Sequence, residues 1–425
     1  MKNRPLLALI AAASFCVVLP VQAQVVQPDS GQPGGFPLKP GAATALIQER
    51  CIACHDLRRV VNSNKDAEEW RETVHMMKAA GAAIDDAEVK QISDYLIANY
   101  LGLERPKATI VAGPANVKFK TWATPTPGSR PHDPLATPDG MIWWSGQFAN
   151  RLGRLDPKTG EMKEFPIPVR GGPHGLINDK DGNIWYAGNW GGHIGRLDPK
   201  TGEWKQFAMP DPKVKDPHTP LFDKNGILWF SAQNSGVMGR LDPKTGDIKL
   251  FTPVGAAGQQ PYALRFLSDG RQPWYSYFGS NKIATIDPDT FALKEFTLPD
   301  AKTRIRRMDV TSDDMIWFGD WSNGKLVRFN PRDGSTKEWP GPGGQLSQPY
   351  GLVVIDDVIW YCESNLRPNT LVRFDPKTEK FQTWEMPDGG GIVRHMMKTR
   401  DGNIAMALSG ISKIGLVEIL PSNSN

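Results

Sequence analysis

The 425-residue sequence is poor in cysteine, with four residues of this type. Cys16 lies in an N-terminal apolar stretch, and Cys51 and Cys54 stand close to a histidine, so that only Cys362 is spare. This count excludes a disulfide framework, and we expect the fold to depend on burial of an apolar core. Cys362 follows an apolar run, which is typical of a small buried strand residue. The sequence also has no Gly-rich phosphate loop and no nucleophile motif.

Net charge and long apolar runs are also limited. The formal charge is +4 at pH 7, and loss of Lys2 and Arg4 would leave +2 without any basic run. This balance argues against nucleic acid or an anionic membrane surface as a partner. The stretch Leu6–Leu19 is shorter than the roughly 20 residues that span a bilayer. With the small residues that end at Ala23, it predicts a cleaved secretory signal over 1–23, no membrane span in the mature chain and a periplasmic location.

Changes in composition divide the rest of the chain. Residues 24–41 are rich in proline and glycine, which predicts a flexible linker. Residues 42–103 have apolar positions at helical spacing and predict a small all-α domain. A second linker is expected over 104–116, followed by an all-β domain over 117–420. The fold class is therefore multidomain, with the small helical domain first.

A repeat runs through the second domain. Tryptophans recur at intervals of 42 to 45 residues, and an alanine continues the series: Trp143, Trp185, Trp229, Trp274, Trp317, Trp360 and Ala405. Turn sequences such as Asp181-Gly-Asn183 and Gly-Arg-Leu-Asp-Pro-Lys-Thr-Gly segments divide each unit into four short strands. This period is typical of propeller blades, so we expect a seven-bladed β-propeller.

The closure of the ring can also be predicted. Residues 117–124 resemble the fourth strand of a repeat but precede the first one. The last repeat ends near Ile419 without such a strand. We therefore expect residues 117–124 to complete the seventh blade and join the two ends of the ring.

The helical domain contains the sequence Cys51-Ile-Ala-Cys54-His55. Two cysteines at this spacing can form thioether bonds to both vinyl groups of a haem, and the adjacent histidine can bind the iron from one side. The motif predicts covalent haem c with His55 as an axial ligand. An electron-transfer role follows from this cofactor.

The second axial ligand should lie downstream of this motif. The sequence around Trp70-Arg71 and Gly81-Ala82 resembles small class I cytochromes c, in which the ligand methionine lies between such elements. The resemblance implies a methionine ligand, which raises the potential of a haem relative to a second histidine. The candidates in order of preference are Met77, Met76 and His75.

Alignment of the repeats places one polar or aromatic residue on the innermost strand of each blade. These residues are His132, His174, His218, Tyr262, Arg306, Tyr350 and Arg394, with His395 beside the last. We expect them to form a ring around the channel. The three histidines could bind a divalent metal or act as acid and base, and the arginines could hold an anionic substrate. A structural role for the Pro-His-Gly segments, through local hydrogen bonds, remains the alternative.

The repeats resemble those of the virginiamycin B (streptogramin) lyase family, which shares the Pro-His/Tyr-Gly, Asp-Gly-Asn-Ile-Trp and Gly-Arg-Leu-Asp segments. The resemblance implies a propeller and, in the catalytic blade, a histidine with two acids that hold magnesium. Here His218 has Asp216 two residues earlier but Ala232 at the second acidic position. Asp320 and Glu363 occupy that position in other blades, where we expect them to pair with the channel arginines.

Three functions are consistent with these features. The first is a periplasmic c-type cytochrome whose propeller binds a substrate, a small-molecule electron donor or a redox partner protein; this layout resembles periplasmic oxidoreductases that join a c haem to a propeller. The second is a lyase-like propeller enzyme acting on a C–O bond, with an appended cytochrome. The third is a non-catalytic binding propeller in a redox complex. The sequence does not specify the substrate.

Overall fold

A computed structural model describes residues 38–51, 57, 65–102, 105–252 and 258–420. The expected signal over 1–23 and most of the linker over 24–41 lie outside the described residues. Cys54 and His55 of the haem motif lie outside them too. No helix among the described residues is long and apolar enough to cross a membrane.

Three helices precede the propeller in the described part of the chain. They are α1 (Thr44–Arg50), α2 (Ala67–Ala79) and α3 (Asp86–Tyr100). Asp66 caps α2 and Asp85 caps α3, and each cap carboxylate accepts a hydrogen bond from a backbone N–H three residues later. These reciprocal caps define where the two longer helices begin.

The helices pack around a small core of their own. Its centre is Trp70, whose indole Nε1 donates to the carbonyl of Tyr100 at 2.8 Å. Cys51, at the end of α1, packs partly against this core. The structure thus shows three helices with a shared core, and the residues that would distinguish a cytochrome domain lie mostly outside the described part.

The remainder is a ring of seven four-stranded antiparallel sheets among the described residues, which confirms the expected seven-bladed propeller. Blades one to three contain β2 (Pro131–Ala136), β3 (Ile142–Gly146), β4 (Arg151–Leu155), β5 (Met162–Pro166); β6 (Pro173–Asn178), β7 (Ile184–Gly188), β8 (His193–Leu197), β9 (Trp204–Ala208); and β10 (Pro217–Phe222), β11 (Leu228–Ala232), β12 (Val237–Leu241), β13 (Ile248–Phe251).

Blades four to six contain β14 (Pro261–Phe266), β15 (Pro273–Tyr277), β16 (Lys282–Ile286), β17 (Leu293–Thr297); β18 (Ile305–Val310), β19 (Ile316–Asp320), β20 (Lys325–Phe329), β21 (Thr336–Pro340); and β22 (Pro349–Ile355), β23 (Val358–Glu363), β24 (Thr370–Asp375), β25 (Lys380–Glu385). Blade seven contains β26 (Val393–Lys398), β27 (Ile404–Leu408), β28 (Lys413–Leu420) and β1 (Asn116–Ala123).

Blade seven closes the ring as expected. Strand β1 pairs with β28 in antiparallel register, from Asn116 opposite Leu420 to Ala123 opposite Lys413. The N-terminal strand of the propeller therefore lies at the outer edge of the last blade. This arrangement ties the two ends of the ring together with a full ladder of backbone hydrogen bonds.

The repeated turn explains the repeated tryptophan. In blade two, Asp179 accepts a hydrogen bond from the Asn183 backbone at 2.9 Å and another from the Trp185 indole at 2.8 Å. Gly182, with φ of 87°, supplies the left-handed residue that the turn requires. The turn thereby orients a buried tryptophan between adjacent blades. Cys362 is likewise buried, with its thiol 3.3 Å from the sulfur of Met396, which confirms a packing role.

Every innermost strand has a β-bulge at the same place. In blade one the register shifts between Pro131 and Pro134, and the other six blades shift at the equivalent position. An extra residue in one strand interrupts the alternation of side chains between the two faces. In blade one the bulged N–H of Asp133 is satisfied by the buried Ser145 hydroxyl at 2.9 Å. Two successive residues of each blade can therefore face the channel.

The helices lie against one face of the propeller through α2. Glu72 accepts hydrogen bonds from the Ser412 hydroxyl and the Gly128 backbone. Gly128 has φ of 70°, and a Cβ there would lie 2.3 Å from the backbone carbonyl of His75. Only glycine permits this approach. The same face of the ring carries the loop that leads into β2, so the helices lie beside one mouth of the channel, called the upper mouth below.

Candidate functional site

The seven residues predicted to line the channel do come together, and their side chains form a layer across it, called the channel ring below. The rings of His132 and His174 lie 3.5 Å apart between centroids, and those of His174 and His218 lie 3.8 Å apart. Tyr262 follows at 4.2 Å from His218. These contacts link four adjacent blades through a continuous run of aromatic rings.

The other half of the channel ring is a tyrosine and arginine cluster. The hydroxyls of Tyr262 and Tyr350 are 2.5 Å apart. Arg306 donates to both hydroxyls at 3.3 Å, and Arg394 donates to that of Tyr350 at 3.3 Å. The Nε atoms of both arginines are buried without a hydrogen-bond partner in the described structure. Guanidinium groups with unused donors are suited to a carboxylate.

The cluster changes the acidity of its tyrosines. Burial alone would raise the pKa of Tyr350, but the positive charges of Arg306, Arg394 and Arg307 outweigh this effect and lower it to about 7. Burial and the neighbouring Tyr350 raise the pKa of Tyr262 to about 12. The pair therefore loses one proton near neutral pH and retains the second. A phenolate at Tyr350 would be held by hydrogen bonds from two arginines.

The histidines of the channel ring are uncharged at neutral pH. Burial, aided by the nearby arginines, lowers the pKa values of His132, His174 and His218 well below the usual value. The Nδ1–H of His174 donates to the His218 carbonyl at 3.2 Å, and Nδ1 of His218 lies 2.9 Å from the Thr219 hydroxyl. Neutral imidazoles can accept a proton or bind a metal.

The bulges place a second layer directly below the channel ring. Its centre is Arg307, which is almost completely buried and pairs with Asp133 at 2.6 Å across the channel. Arg307 also donates to the Arg394 carbonyl at 3.1 Å and lies 3.4 Å from the Thr219 hydroxyl. These contacts join blades one, three, five and seven. The guanidinium thus fills the middle of the channel.

The metal site expected from three histidines has a different composition in the structure. Among the described residues, His132, Asp133 and His174 are close enough to share an ion, with ligand atoms within 4.8 Å of one another. However, Nδ1 of His132 already donates to Asp133 at 2.8 Å, and the same carboxylate pairs with Arg307. A cation here would lie beside a fixed guanidinium, which disfavours it. The charges of this region favour an anion.

A cavity of about 250 Å³, called the lower cavity below, lies on the side of the second layer away from the channel ring. Its polar lining residues are Asp133, Thr219, Arg265, Asp309, His395 and Lys398, and the rest of the lining is apolar. His395 is 8% exposed, and neither of its ring nitrogens has a hydrogen-bond partner in the described structure. Nδ1 lies 3.4 Å from Asp133, and burial lowers the pKa of this imidazole well below its usual value. His395 therefore faces the lower cavity and is not part of the channel ring.

Positive charge extends from the channel ring to the upper mouth. Arg130 precedes the first inner strand and donates to Gln147 at 2.9 Å. Burial and the nearby charge of Arg394 lower the pKa of Arg130 to about 9. On the helical side, burial lowers the pKa of Lys65, Glu69 opposes this shift, and the charges of the same two arginines and of Arg105 add to it. The helical region and the propeller thus both bring cations to the upper mouth.

The acids that end two of the second strands, Asp320 and Glu363, do not pair with the channel arginines, so that expectation was wrong. Asp320 accepts from the Thr303 hydroxyl at 2.8 Å and from the Asn323 amide at 2.7 Å. Glu363 accepts from the Gly343 backbone at 2.9 Å and from the Thr370 hydroxyl at 2.8 Å. Nearby donors of the same blades therefore satisfy both carboxylates.

The predicted axial ligands occupy different faces of α2. Met77 lies three and seven positions after Val74 and Trp70, both of which belong to the helical core. Met76 lies four positions after Glu72, which contacts the propeller. The backbone of His75 lies against Gly128. Met76 is buried and Met77 is half-buried, and neither is among the residues that form the described helical core, so the order of preference among these ligands stays a prediction.

Reasoning from the sequence missed three contributors to this site: Asp133, Arg307 and Arg130. The first two each follow a residue of the channel ring, and regular strand alternation would have turned them away from the channel. The available signal was a charged residue directly after a predicted inward-facing position, which occurs in two different blades. Arg130 lies in a loop, where no periodicity marks its direction.

The comparisons with known proteins concern the propeller. The model of the virginiamycin B lyase family matches residues 112–319. A streptogramin B lyase structure aligns with a TM-score of 0.65 and 24% identity, over 72% of this chain and 98% of that one. A catalytically inactive histidine-to-alanine variant of virginiamycin B lyase from Staphylococcus aureus, with quinupristin, aligns with a TM-score of 0.64 and 20% identity, over 72% of this chain and all of that one.

The extracellular domain of a hybrid two-component system from B. thetaiotaomicron aligns less closely, with a TM-score of 0.54 and 15% identity, over 72% of this chain and 43% of that one. No curated protein matches the chain. The large domain is therefore a virginiamycin B lyase-like seven-bladed propeller. The residues that the family model matches begin after the helical region.

Proposed function

We propose that this protein is an exported c-type cytochrome whose propeller binds an anionic small-molecule electron donor at the upper mouth of the channel. The observation that carries the proposal is the cluster of cations at this mouth, beside the helices that follow the Cys51-Ile-Ala-Cys54-His55 sequence. The expected signal over 1–23 supports export to the periplasm. The Cys51-Ile-Ala-Cys54-His55 sequence is consistent with covalent attachment of haem there.

The charges support an anion as the ligand. Arg306 and Arg394 have unused Nε donors, and Arg130 and Lys65 add positive charge from above. The one carboxylate of the second layer, Asp133, is neutralised by its ion pair with Arg307. A bound carboxylate or similar anion would satisfy donors that are otherwise buried without a partner.

The described residues of the helical region are compatible with a haem. Cys51 follows α1 and packs against the helical core, and Met77 lies on α2 three positions after Val74 of that core. Cys51, Cys54 and His55 would hold the group, with Met77 as the second ligand. Haem would supply one-electron acceptance. The chain itself binds the donor and holds it beside the helical region through Lys65.

The first experiment is a visible spectrum of the full chain purified from the periplasm, oxidised and reduced. We expect a low-spin c-type spectrum and reduction by an anionic donor. Met77→Ala should change the ligand state of the iron, whereas Met76→Ala should leave the spectrum unchanged. A periplasmic protein without a c-type spectrum would refute the haem proposal, and the reverse result for the two variants would move the ligand to Met76.

A second measurement tests the anion site independently of haem. Arg306→Met should weaken the binding of small carboxylates by at least about tenfold, because it removes a charged donor from a buried site. Arg328→Met is the matched control, since Arg328 also lies over a tryptophan of blade five but on the third strand. Equal effects of the two changes, or no carboxylate binding at all, would contradict the proposal.

The lyase reading is the second candidate, favoured by the family match and by the acidity of Tyr350. Elimination at a C–O bond needs a base near neutral pKa and a group that stabilises the developing anion. Tyr350 and Arg306 could fill these roles. Turnover that survives His55→Ala, rises with pH through about 7 and is lost in Tyr350→Phe would favour this function over electron transfer.

A further inference from the structure

Two aromatic pairs flank the upper mouth of the channel. Phe278 and Trp321 have ring centroids 5.7 Å apart, and Phe148 and Trp190 have centroids 5.0 Å apart. Phe278 and Trp321 follow the second strands of blades four and five, and Phe148 and Trp190 follow those of blades one and two. All four rings are only partly buried. Blade three separates the pairs on one side, and blades six and seven separate them on the other.

The pair at blades four and five continues directly from the channel ring. The Arg306 guanidinium lies 3.9 Å from the centroid of Phe278 and 5.2 Å from that of Trp321. It also lies 4.6 Å from the ring of Tyr350. The carboxylate-binding group of the proposed site therefore lies among aromatic rings, and two of them, Phe278 and Trp321, are only partly buried.

The second pair has the same composition but a different position. Arg130 lies 4.6 Å from the Phe148 centroid, and Arg170 lies 5.6 Å from that of Trp190. Neither arginine belongs to the channel ring; Arg130 contributes charge at the upper mouth, whereas Arg170, the arginine over the Trp190 ring, is not one of the cations of the proposed anion site. This pair is therefore a matched comparison for the first, with similar exposure and similar cation contacts but without a direct link to the tyrosine cluster.

We propose that the ligand of the upper mouth is an aromatic carboxylate, whose ring lies against Phe278 and Trp321 while its carboxylate meets Arg306 and Arg394. Aromatic rings attract another ring in offset or edge-to-face geometry beyond simple apolar burial. Guanidinium groups provide paired donors for a carboxylate at a fixed distance. This inference rests on the proposed anion site, and it adds the chemical class of the ligand.

The test is calorimetric titration of the full chain with three probes of similar size. Benzoate has both the ring and the charge, cyclohexanecarboxylate has only the charge, and benzamide has only the ring. We expect benzoate to bind about tenfold more tightly than cyclohexanecarboxylate, because only benzoate has an aromatic ring to pack against Phe278 and Trp321. Benzamide should bind more weakly than both.

Trp321→Leu should reduce the affinity for benzoate to that for cyclohexanecarboxylate and leave the latter unchanged. Trp190→Leu is the control and should change neither. Phe278→Leu provides a second variant if Trp321→Leu does not fold, as judged by circular dichroism. A loss of benzoate binding in Trp190→Leu alone would overturn the assignment to Trp321.

The outcomes separate the two proposals. Equal affinity for benzoate and cyclohexanecarboxylate would overturn the aromatic assignment and leave the anion site standing. Benzamide binding as tightly as benzoate, or no binding of either carboxylate, would overturn the anion site itself.

Discussion

Glu72 makes the contact between the helices and the propeller sensitive to pH. Burial raises the pKa of this carboxyl from 4.5 to about 7, although hydrogen bonds from Ser412 and Gly128 oppose the shift. A folded-state pKa above the unfolded value means that the folded form binds more protons between these pH values. The free energy of unfolding should therefore fall as pH rises from about 4.5 to 7.

The magnitude follows from the size of the shift. Each unit of pKa corresponds to about 1.4 kcal/mol, so a change from 4.5 to about 7 corresponds to about 3 kcal/mol at most. Because Glu72 keeps some contact with solvent, we expect about 1 to 2 kcal/mol. Glu72→Gln keeps an oxygen that can accept from Ser412 and Gly128 but cannot ionise. It should stabilise the protein at pH 8 and have little effect at pH 4.5.

The assay is urea denaturation of the full chain followed by circular dichroism at 222 nm, where the helices contribute strongly, at both pH values. Glu68→Gln is the control, because Glu68 is exposed on the same helix and its charge ranks last among the causes of the pKa shift of Glu72. The comparison between variants cancels the contribution of other titrating groups. Destabilisation by Glu72→Gln at pH 8, or an equal effect of Glu68→Gln, would refute the reasoning.

Three other changes test the site and its support. Carboxylate binding should weaken about fivefold from pH 7 to 8, because the phenolate of Tyr350 competes with the ligand for the arginines. Titration calorimetry of Tyr350→Phe should show no such pH dependence. Gly128→Ala should destabilise the contact with His75 by more than about 1 kcal/mol, measured by limited proteolysis of the helical region. Asp133→Asn should cost about 3 to 5 kcal/mol in denaturant unfolding, since it leaves Arg307 buried without its counter-charge.

Each of these predictions has a contrary result. A pH dependence of binding that persists in Tyr350→Phe would mean that another group titrates. Unchanged proteolysis in Gly128→Ala would show that the helices do not rest on this loop. A loss under about 1 kcal/mol in Asp133→Asn would mean that Arg307 reaches solvent or another partner.

The repeat pattern predicted the propeller because its signals are local. The turn at Asp179 and Gly182 orients Trp185 within seven residues, and the indole of Trp229 donates to Asp223 in the same way in blade three. The strand predicted at 117–124 was likewise recognisable from its own sequence pattern, and it pairs with β28 as expected. Each of these features depends on contacts between residues that are close in sequence or related by the repeat.

The channel was predicted only in part. The seven residues of the channel ring were predicted correctly because they share one position in the repeat. The sequence did not predict that His395 lines the lower cavity. The pairing of Asp320 with channel arginines was expected and is wrong, because Thr303 and Asn323 satisfy it nearby. Alternation along a strand cannot anticipate a bulge, which turns a second residue toward the axis.

The sequence by itself determined the seven repeats, the strand that closes the ring and the residues of the channel ring. It could do so because the period, the turn sequences and the hydrophobic pattern are present within each repeat. Only the tertiary structure decided that Arg307 meets Asp133 across the channel, that Tyr350 becomes acidic and that α2 lies beside the upper mouth. These features join residues from different blades or from different parts of the chain. Their energies depend on burial and on the distances between charges, which exist only after the ring has closed.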